Sequence, residues 1–565
     1  ADNLIKVGYK KAGLPTEAEA DIITFRYDII GNLLSETTAQ GSLSHQYDQL
    51  GNRIATTLPD GRTLNNLYYG SGHLHQINLD GTTITDIERD RLHREVLRSQ
   101  GQLNTEFRYD RNSRLQHKQT RRGHNTILPD ILTDRRYQYD NLDRLVSKKH
   151  TRQGQTDYHY DRTGRIESCR NQAYWETLQY DAAANLLDKR RNEDSSTDNQ
   201  NLVRFNQLLH FRGLQYTYDA HGRTHSKQTA SGTQYYHYDA EHRLTEVRIE
   251  KLNCTERYGY VYDALGRRIE KHQIDRAGKA CNRTHFLWDG LRMIQETRTD
   301  RSKSVYIYTD ESGYEPLARV ETTTGTEQKV LYYHTDVNGA PEELTDEDGH
   351  IVWACSYQLW GKPIQEIEHS QIQQNLRYQG QYLDRETGLH YNTFRYYDPD
   401  IGRFTQPDPI GLLGGLNLYQ YAPNGLTWID PWGWAPWKRG GFDDWFNNAS
   451  LDEIRANKKA VETALRNGGG KHEMFPVSLA AKAKSLGFTA QELKAMTVPT
   501  KDIYFVDVKN KKTGALIQGD HHGTKAGSYF HDELIKKLNG AKSKKQAERI
   551  ITSMHKKHMR YKSGC

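Results

Sequence analysis

The chain has no run of about 18 apolar residues, the length a helix needs to cross a membrane, and only 35% of its 565 residues are hydrophobic. Neither a helical membrane span nor a thick aliphatic core is expected. Cysteine is scarce. Cys169, Cys254, Cys281, Cys355 and Cys565 are odd in number and show no C-x-x-C spacing, which argues against a disulfide framework and against a thiolate zinc site. The opening residues, ADNLIKVGYKK, include neither an initiator Met nor the apolar stretch of a signal peptide. We expect a soluble piece of something longer, exported, if at all, by a route that needs no such signal.

Acidic residues run short in one region only. Between 435 and 565, 25 Lys and Arg face 13 Asp and Glu, a net +12, so the formal +6 of the whole chain leaves −6 for residues 1–434. A basic tail of this density points to a polyanionic partner, with a solvated Lys-rich face as the alternative. Length alone suggests about two to four domains, or a repeat array plus a smaller domain. The 36 tyrosines favour the array, because half-exposed strands accommodate amphipathic rings well.

One phrase recurs through the first two thirds: FRYDIIGNL from Phe25, YQYDNLDRL from Tyr137, YHYDRTGRI from Tyr158, YVYDALGRR from Tyr260. Its central tyrosines, Tyr27, Tyr47, Tyr139, Tyr160, Tyr180, Tyr218, Tyr238 and Tyr262, often fall 20 or 21 apart, the mark of an internal repeat. Alternation such as Tyr-His-Tyr puts both rings on one strand face, Asp-x-x-Gly supplies a turn, and the next alternating run returns antiparallel. About twenty residues thus make two strands of about seven, each about 24 Å long. Such hairpins, set side by side, form one continuous sheet whose ends must be capped or closed.

These repeats resemble the YD-repeat, or Rhs, family. The segment GQYLDRETGLHYNTFRYYDPDIGRFTQPDPIGLLGGLNLYQYAPNGLTWIDPWGW, residues 380–434, resembles the core-associated segment of Rhs proteins and of the C subunits of insecticidal toxin complexes. The fold implied is mainly β: residues 1–376 as a YD-repeat hairpin sheet spiralling into a hollow, cocoon-like shell, then 377–434 as a self-cleaving segment. A small α+β toxin domain over 435–565 follows. The resemblance carries an aspartyl self-cleaving site onto Arg395, Asp408 and Asp430, with the break between Trp434 and Ala435; many relatives have Leu where Trp434 stands. Two carboxylates held together cannot both ionise, so one can donate a proton while the other activates water. Without the resemblance, Asp408 and Asp430 read as turn-forming residues, as does Asp398.

The tail must be read from its own residues. Helices are expected over 450–466, from the capping box at Thr489 and Glu492, in SYFHDELIKKL, and over 543–558, with a strand at 503–508. Its histidines stand out. His472 and Glu473 follow a triple Gly where a helix is expected to begin, His521 and His522 lie in a loop, and His531 lies on the helix after it. A base, a metal to neutralise developing charge, and basic surroundings are what phosphodiester cleavage needs. The separated histidine order resembles His-Me finger, HNH-like nucleases. That resemblance implies His472 as general base or its partner, Glu473 and His521 as positioning groups, and His521, His522 and His531 as ligands of a divalent ion, Mg, Mn, Ni or Zn. His555, Lys556, Lys557 and His558 read as a phosphate-facing or solvated helix surface.

The resulting expectation is an antibacterial effector whose shell encloses and frees a metal-dependent DNase, secreted without a visible signal peptide by the type VI route and acting in the target cytoplasm. Implied partners are DNA, a small acidic immunity protein, a secretion spike and chaperone, and a second shell. Two alternatives stay open: a ribonuclease or nucleotide-modifying cargo, and a non-enzymatic YD-repeat surface protein with a basic adhesive tail.

Overall fold

The computed structural model describes residues 4–562 apart from 10–20, 30, 71–72, 124–129, 188–202, 310–312, 324–327, 371, 414–415, 435–436, 439–445, 448–450, 452–453, 455–460, 462–464, 466–470 and 522–523. It divides into two compact units. One comprises Ile5–Leu412 and Leu416–Pro436, the other Trp437–Cys565 with Ala1–Leu4 and Leu413–Gly415. Among the described residues no helix is long and apolar enough to cross a membrane.

The larger unit is almost wholly β. A 16-stranded sheet over residues 6–177 and a 15-stranded sheet over 210–368 each run in strict chain order, every strand antiparallel to its neighbours in sequence. Alternation works as expected: in the strand Leu103–Tyr109, Leu103, Thr105 and Phe107 are buried.

The recurring phrase has a physical reason at each position. In the turn after Tyr139, the Asp140 carboxylate accepts the N–H groups of Leu142 and Arg144, both at 2.9 Å, and the Arg144 Nε at 2.6 Å. The same guanidinium lies 4.8 Å from the Tyr160 ring of the next repeat, whose hydroxyl donates to the Leu145 carbonyl at 2.7 Å. Tyr139 donates in the same way to Leu115, and Tyr262 to Leu244. The fourth turn residue takes a positive φ, as at Gly164 (87°) and Gly266 (79°), the conformation that favours glycine.

The two large sheets share an apolar cluster in which Leu43, Leu74, Ile77 and Leu103 meet Ile307, Leu317 and Val320. The segment after them packs against both sheets. Its strands Tyr382–Asp384, Leu389–Asn392 and Arg395–Asp398 are buried at every position, and its rings join clusters with both sheets. Charges inside are paired: Arg268 with Asp384 at 2.6 Å, Lys227 with Asp398 at 2.9 Å, and Arg135 with Glu342 at 2.9 Å. Asp398 is thus an ion-pair partner in the core.

The smaller unit is α+β with its own core, including Phe475, Phe488, Phe505, Phe530, Leu534 and Ile551. A three-stranded sheet places Ile503–Lys509 between Leu516–Asp520 and Met559–Tyr561. Two helices, Lys525–Asn539 and Lys544–His558, pack on it, capped by Thr524 and Ser543. The Thr489–Glu492 capping box forms and opens the helix Ala490–Ala495. Where a helix was expected directly after the triple Gly, Lys471–Glu473 is a short strand paired with Thr497–Pro499. Pro476 delays the turn into the helix, which begins at Ala480. Most of the helix expected over 450–466 lies outside the described residues.

Replacing Asp140 with Ala removes the acceptor of two amides and a guanidinium. The Leu142 and Arg144 amides should then exchange about 5- to 30-fold faster, corresponding to about 1–2 kcal/mol of local stability, with Asp140→Asn intermediate. Unchanged exchange by mass spectrometry would contradict this account of the turn.

Candidate functional site

The larger unit brings Arg395, Asp408 and Asp430 together. Arg395 leaves the strand Arg395–Asp398 inward and is 1% exposed. Its Nη2 lies 3.0 Å from Asp408 Oδ2 and 3.6 Å from Asp430 Oδ2, while Nε donates to the Gly433 carbonyl and Nη1 to the Leu418 carbonyl. Asp430 Oδ1 accepts the Trp434 N–H at 3.0 Å. The Trp434 ring stacks on Phe394 at 4.3 Å between centroids, and Trp432 Nε1 donates to the Tyr314 hydroxyl at 2.6 Å. The chain up to Trp434 is therefore held through backbone and ring together. Ala435 lies outside the described residues.

Close packing requires a glycine here. A Cβ on Gly380 would lie 2.2 Å from the Pro431 carbonyl oxygen, and φ is +81°. The electrostatics separate the two acids. Burial pushes the Asp430 carboxyl up to about 7 against the pull of Arg395. Asp408 is also raised by burial and likewise opposed by Arg395. Near neutral pH the cluster thus holds one carboxyl poised to exchange a proton beside another paired with a guanidinium.

In the smaller unit, His472, His521 and His531 converge, one ligand nitrogen of each lying within 4.8 Å of the others. His472 Nδ1 is 3.1 Å from His521 Nε2 and 3.2 Å from His531 Nε2. His531 donates its Nδ1–H to the Gly527 carbonyl at 2.6 Å, which leaves its Nε2 as a lone pair facing the cluster. Beneath lie Phe505 and Phe530, stacked at 4.2 Å. His472 is fully buried, whereas His521 and His531 are half-buried, so the cluster is more open on their side. Burial, then His555, His531 and His521, hold the His472 imidazole down to about 2, and the ring is neutral.

Several of the expected residues lie in other surroundings than expected. His472 faces another histidine from each ring nitrogen, where a general base would be expected to face the substrate. Glu473 does not converge with the three histidines; alternation along the strand sends it to the other face. His555 and His558 are 3% and 6% exposed, not surface groups, although Lys556 and Lys557 between them are exposed. His522 lies outside the described residues. The lysines beside His555 and His558 point to solvent, yet both rings face the core.

A second cluster, His150 with Glu342 and Glu343, has similar spacing but different chemistry. His150 Nδ1 accepts the Arg152 and Gln153 amides at 3.1 and 3.3 Å, so Nε2 carries the proton, 3.0 Å from Glu343. Arg135 and Lys148 already pair with the two glutamates. It is an ion-pair network with no free imidazole lone pair.

A family model described as Teneurin YD-shell matches residues 78–425, and one described as RHS Repeat matches 16–63. The chain belongs to the Rhs/YD-repeat family of polymorphic toxins. Among Rhs relatives, "Double-stranded DNA deaminase toxin A" of Burkholderia cenocepacia is 37% identical over 464 residues, covering 77% of this chain and 32% of that protein. "Probable deoxyribonuclease RhsA" of Dickeya dadantii is 30% identical over 432 residues, covering 74% and 28%. This chain spans about a third of the length of these curated relatives. A crystal structure of TcdB2-TccC3-Cdc42 shares the fold with a TM-score of 0.60 at 20% identity, covering 73% of this chain and 24% of that one. The Rhs relatives carry names of different chemistries, so the match alone does not choose a reaction for the tail.

Gly527 seats the His521 loop against its helix, because a Cβ there would lie 2.4 Å from the His521 carbonyl oxygen. Gly527→Ala should destabilise the smaller unit by about 1–3 kcal/mol. Gly540→Ala, whose Cβ would meet nothing nearer than 3.5 Å, should be neutral. Chemical denaturation followed by hydrogen exchange over 516–539 separates the two; equal stability would refute the close approach.

Proposed function

We propose that this chain is the shell and effector of an antibacterial Rhs toxin: Arg395, Asp408 and Asp430 cut it after Trp434, and the C-terminal unit is a metal-dependent endonuclease acting on DNA in a competing cell. The observation that carries the nuclease reading is the convergence of three imidazoles, with His472 Nδ1 3.1 Å from His521 Nε2 and 3.2 Å from His531 Nε2. The lone pairs of His472 Nδ1 and His531 Nε2, brought that close, repel unless a proton or a cation lies between them. Three histidines with an open side are the donor set of a hydrolytic metal site, and a divalent ion bound there would acidify a water and neutralise charge on a phosphodiester. His472, His521 and His531 would hold it, Phe505 and Phe530 would keep water from beneath, and exposed Lys556, Lys557 and Arg560 would attract the nucleic-acid backbone.

The composition of the tail favours cleavage over deamination. Nucleobase deaminases bind zinc through His and two Cys or three Cys, whereas residues 435–565 contain one cysteine, Cys565. For self-cleavage, the support is the separation of the two acids. Asp430, near 7, can hold the proton to be given to the scissile carbonyl while Asp408, beside Arg395, draws a proton from water. The Phe394 stack and the Asp430–Trp434 bond hold the residue before the cut. Delivery by a secretion needle, and an acidic immunity protein that binds the basic unit, complete the reading.

Expressed alone, the chain should resolve on a denaturing gel into shell and tail fragments, and Asp408→Asn or Asp430→Asn should leave the intact 65.4 kDa chain. The cleavage rate should fall about tenfold per pH unit above about 7 as Asp430 loses its proton. A rate independent of pH from 6 to 9 would remove Asp430 as the acid.

Plasmid DNA incubated with the chain from 435 onward should be nicked with Mg²⁺, Mn²⁺, Ni²⁺ or Zn²⁺ and left intact with EDTA. His531→Ala should slow nicking at least about 100-fold. Plasmid intact under every metal would overturn the DNase reading and turn attention to RNA.

A further inference from the structure

We propose that His555 is the positioning residue of the histidine centre, fixing His472 in the one tautomer that presents Nδ1 to a divalent cation. The proposal rests on the metal reading above and concerns a residue that does not itself converge on the cation. His555 donates its Nδ1–H to the Ile551 carbonyl, four residues back in its own helix, at 2.7 Å. Its Nε2 is therefore a lone pair, and it lies 2.8 Å from His472 Nε2. A contact that short needs one proton, and His555 has none left to give. His472 must donate its Nε2–H.

The consequence appears on the other side of the ring. A neutral imidazole carries one proton, so a proton at Nε2 leaves Nδ1 as a lone pair, facing His521 and His531. His472 is 0% exposed and His555 is 3% exposed. Water therefore does not compete for the bond, and among the described residues no other acceptor meets His472 Nε2.

The ring of His555 is held by its helix and by Phe530, 5.2 Å away, so the acceptor is rigid. Histidine ligands usually donate their second N–H to a carboxylate, a carbonyl or a water. Here the acceptor is a neutral ring, which orients the ligand without adding negative charge. The cation would keep its full charge for an anionic phosphodiester.

Without the acceptor, the buried His472 Nε2–H loses its partner. The ring then gains by shifting its proton to Nδ1, where it blocks coordination. The test compares His555→Gln, whose amide oxygen can accept, with His555→Leu, which cannot. The full chain, stripped with EDTA, is titrated with Co²⁺ and followed by its visible absorption, and the melting temperature is recorded in EDTA as a check on folding.

Wild type and His555→Gln should bind Co²⁺ alike within about threefold, and His555→Leu about 10- to 100-fold more weakly, while the melting temperatures in EDTA stay together. Equal weakening in Gln and Leu would mean that the ring acts by packing, and wild-type binding in His555→Leu would mean that it has no role. Either result overturns the proposal and leaves the metal reading standing. A wild-type chain that takes up no Co²⁺ overturns both.

Discussion

The larger unit depends on one small arrangement, an aspartate that closes its own turn. By accepting two loop amides and the following guanidinium, as Asp140 does, the carboxylate satisfies donors that a tight turn leaves without partners. It also aims the arginine sideways. The guanidinium then covers the tyrosine of the next hairpin, and that tyrosine donates back to the strand beside the arginine. Each repeat thus carries half of the interface to its successor. This explains how a chain only 35% hydrophobic builds sheets of 16 and 15 strands: rings and cations supply packing that aliphatic side chains would otherwise provide.

Charge inside the unit has a second use. Arg268 lies among the rings of Tyr260, Phe286, Tyr382, Tyr391 and Tyr396 and pairs with Asp384. A desolvated pair of this kind adds little net stability compared with apolar residues, but removing one partner is costly. The pair therefore penalises any other seating of the strand Tyr382–Asp384. The same segment leads on to Arg395, and the acids around Arg395 inherit a surrounding that excludes water. The raised Asp430 carboxyl is a product of that burial.

The repeat was legible in the sequence because its logic is local: the alternation, the turn aspartate and the glycine all lie within nine residues. The stacking of Arg144 on Tyr160 was not, since it joins two repeats. The grouping of Arg395, Asp408 and Asp430 was reachable through resemblance; the neighbours of the two acids indicated only turns. In the tail, secondary structure followed from capping residues such as Thr489 and Ser543. The histidines were found by type, but their placement was only partly legible. Glu473 was placed beside His472 by sequence adjacency, which a strand converts into opposition. His555 was read with Lys556 and Lys557, yet successive helical residues turn about 100° apart, so a buried ring can sit beside exposed lysines.

The chain-order meander also governs how such a molecule comes apart under tension. Within each of the two large sheets, the described strands pair only with their neighbours in sequence, so a pull from one end loads a single ladder at a time, and hairpins peel away in turn. Interrupting that path are contacts between residues far apart in the chain: Arg53 to Asp289, separated by 236 positions, and Arg135 to Glu342, separated by 207. The unit therefore resembles a zip whose teeth are locked at intervals, with the apolar cluster between the sheets adding resistance along its length.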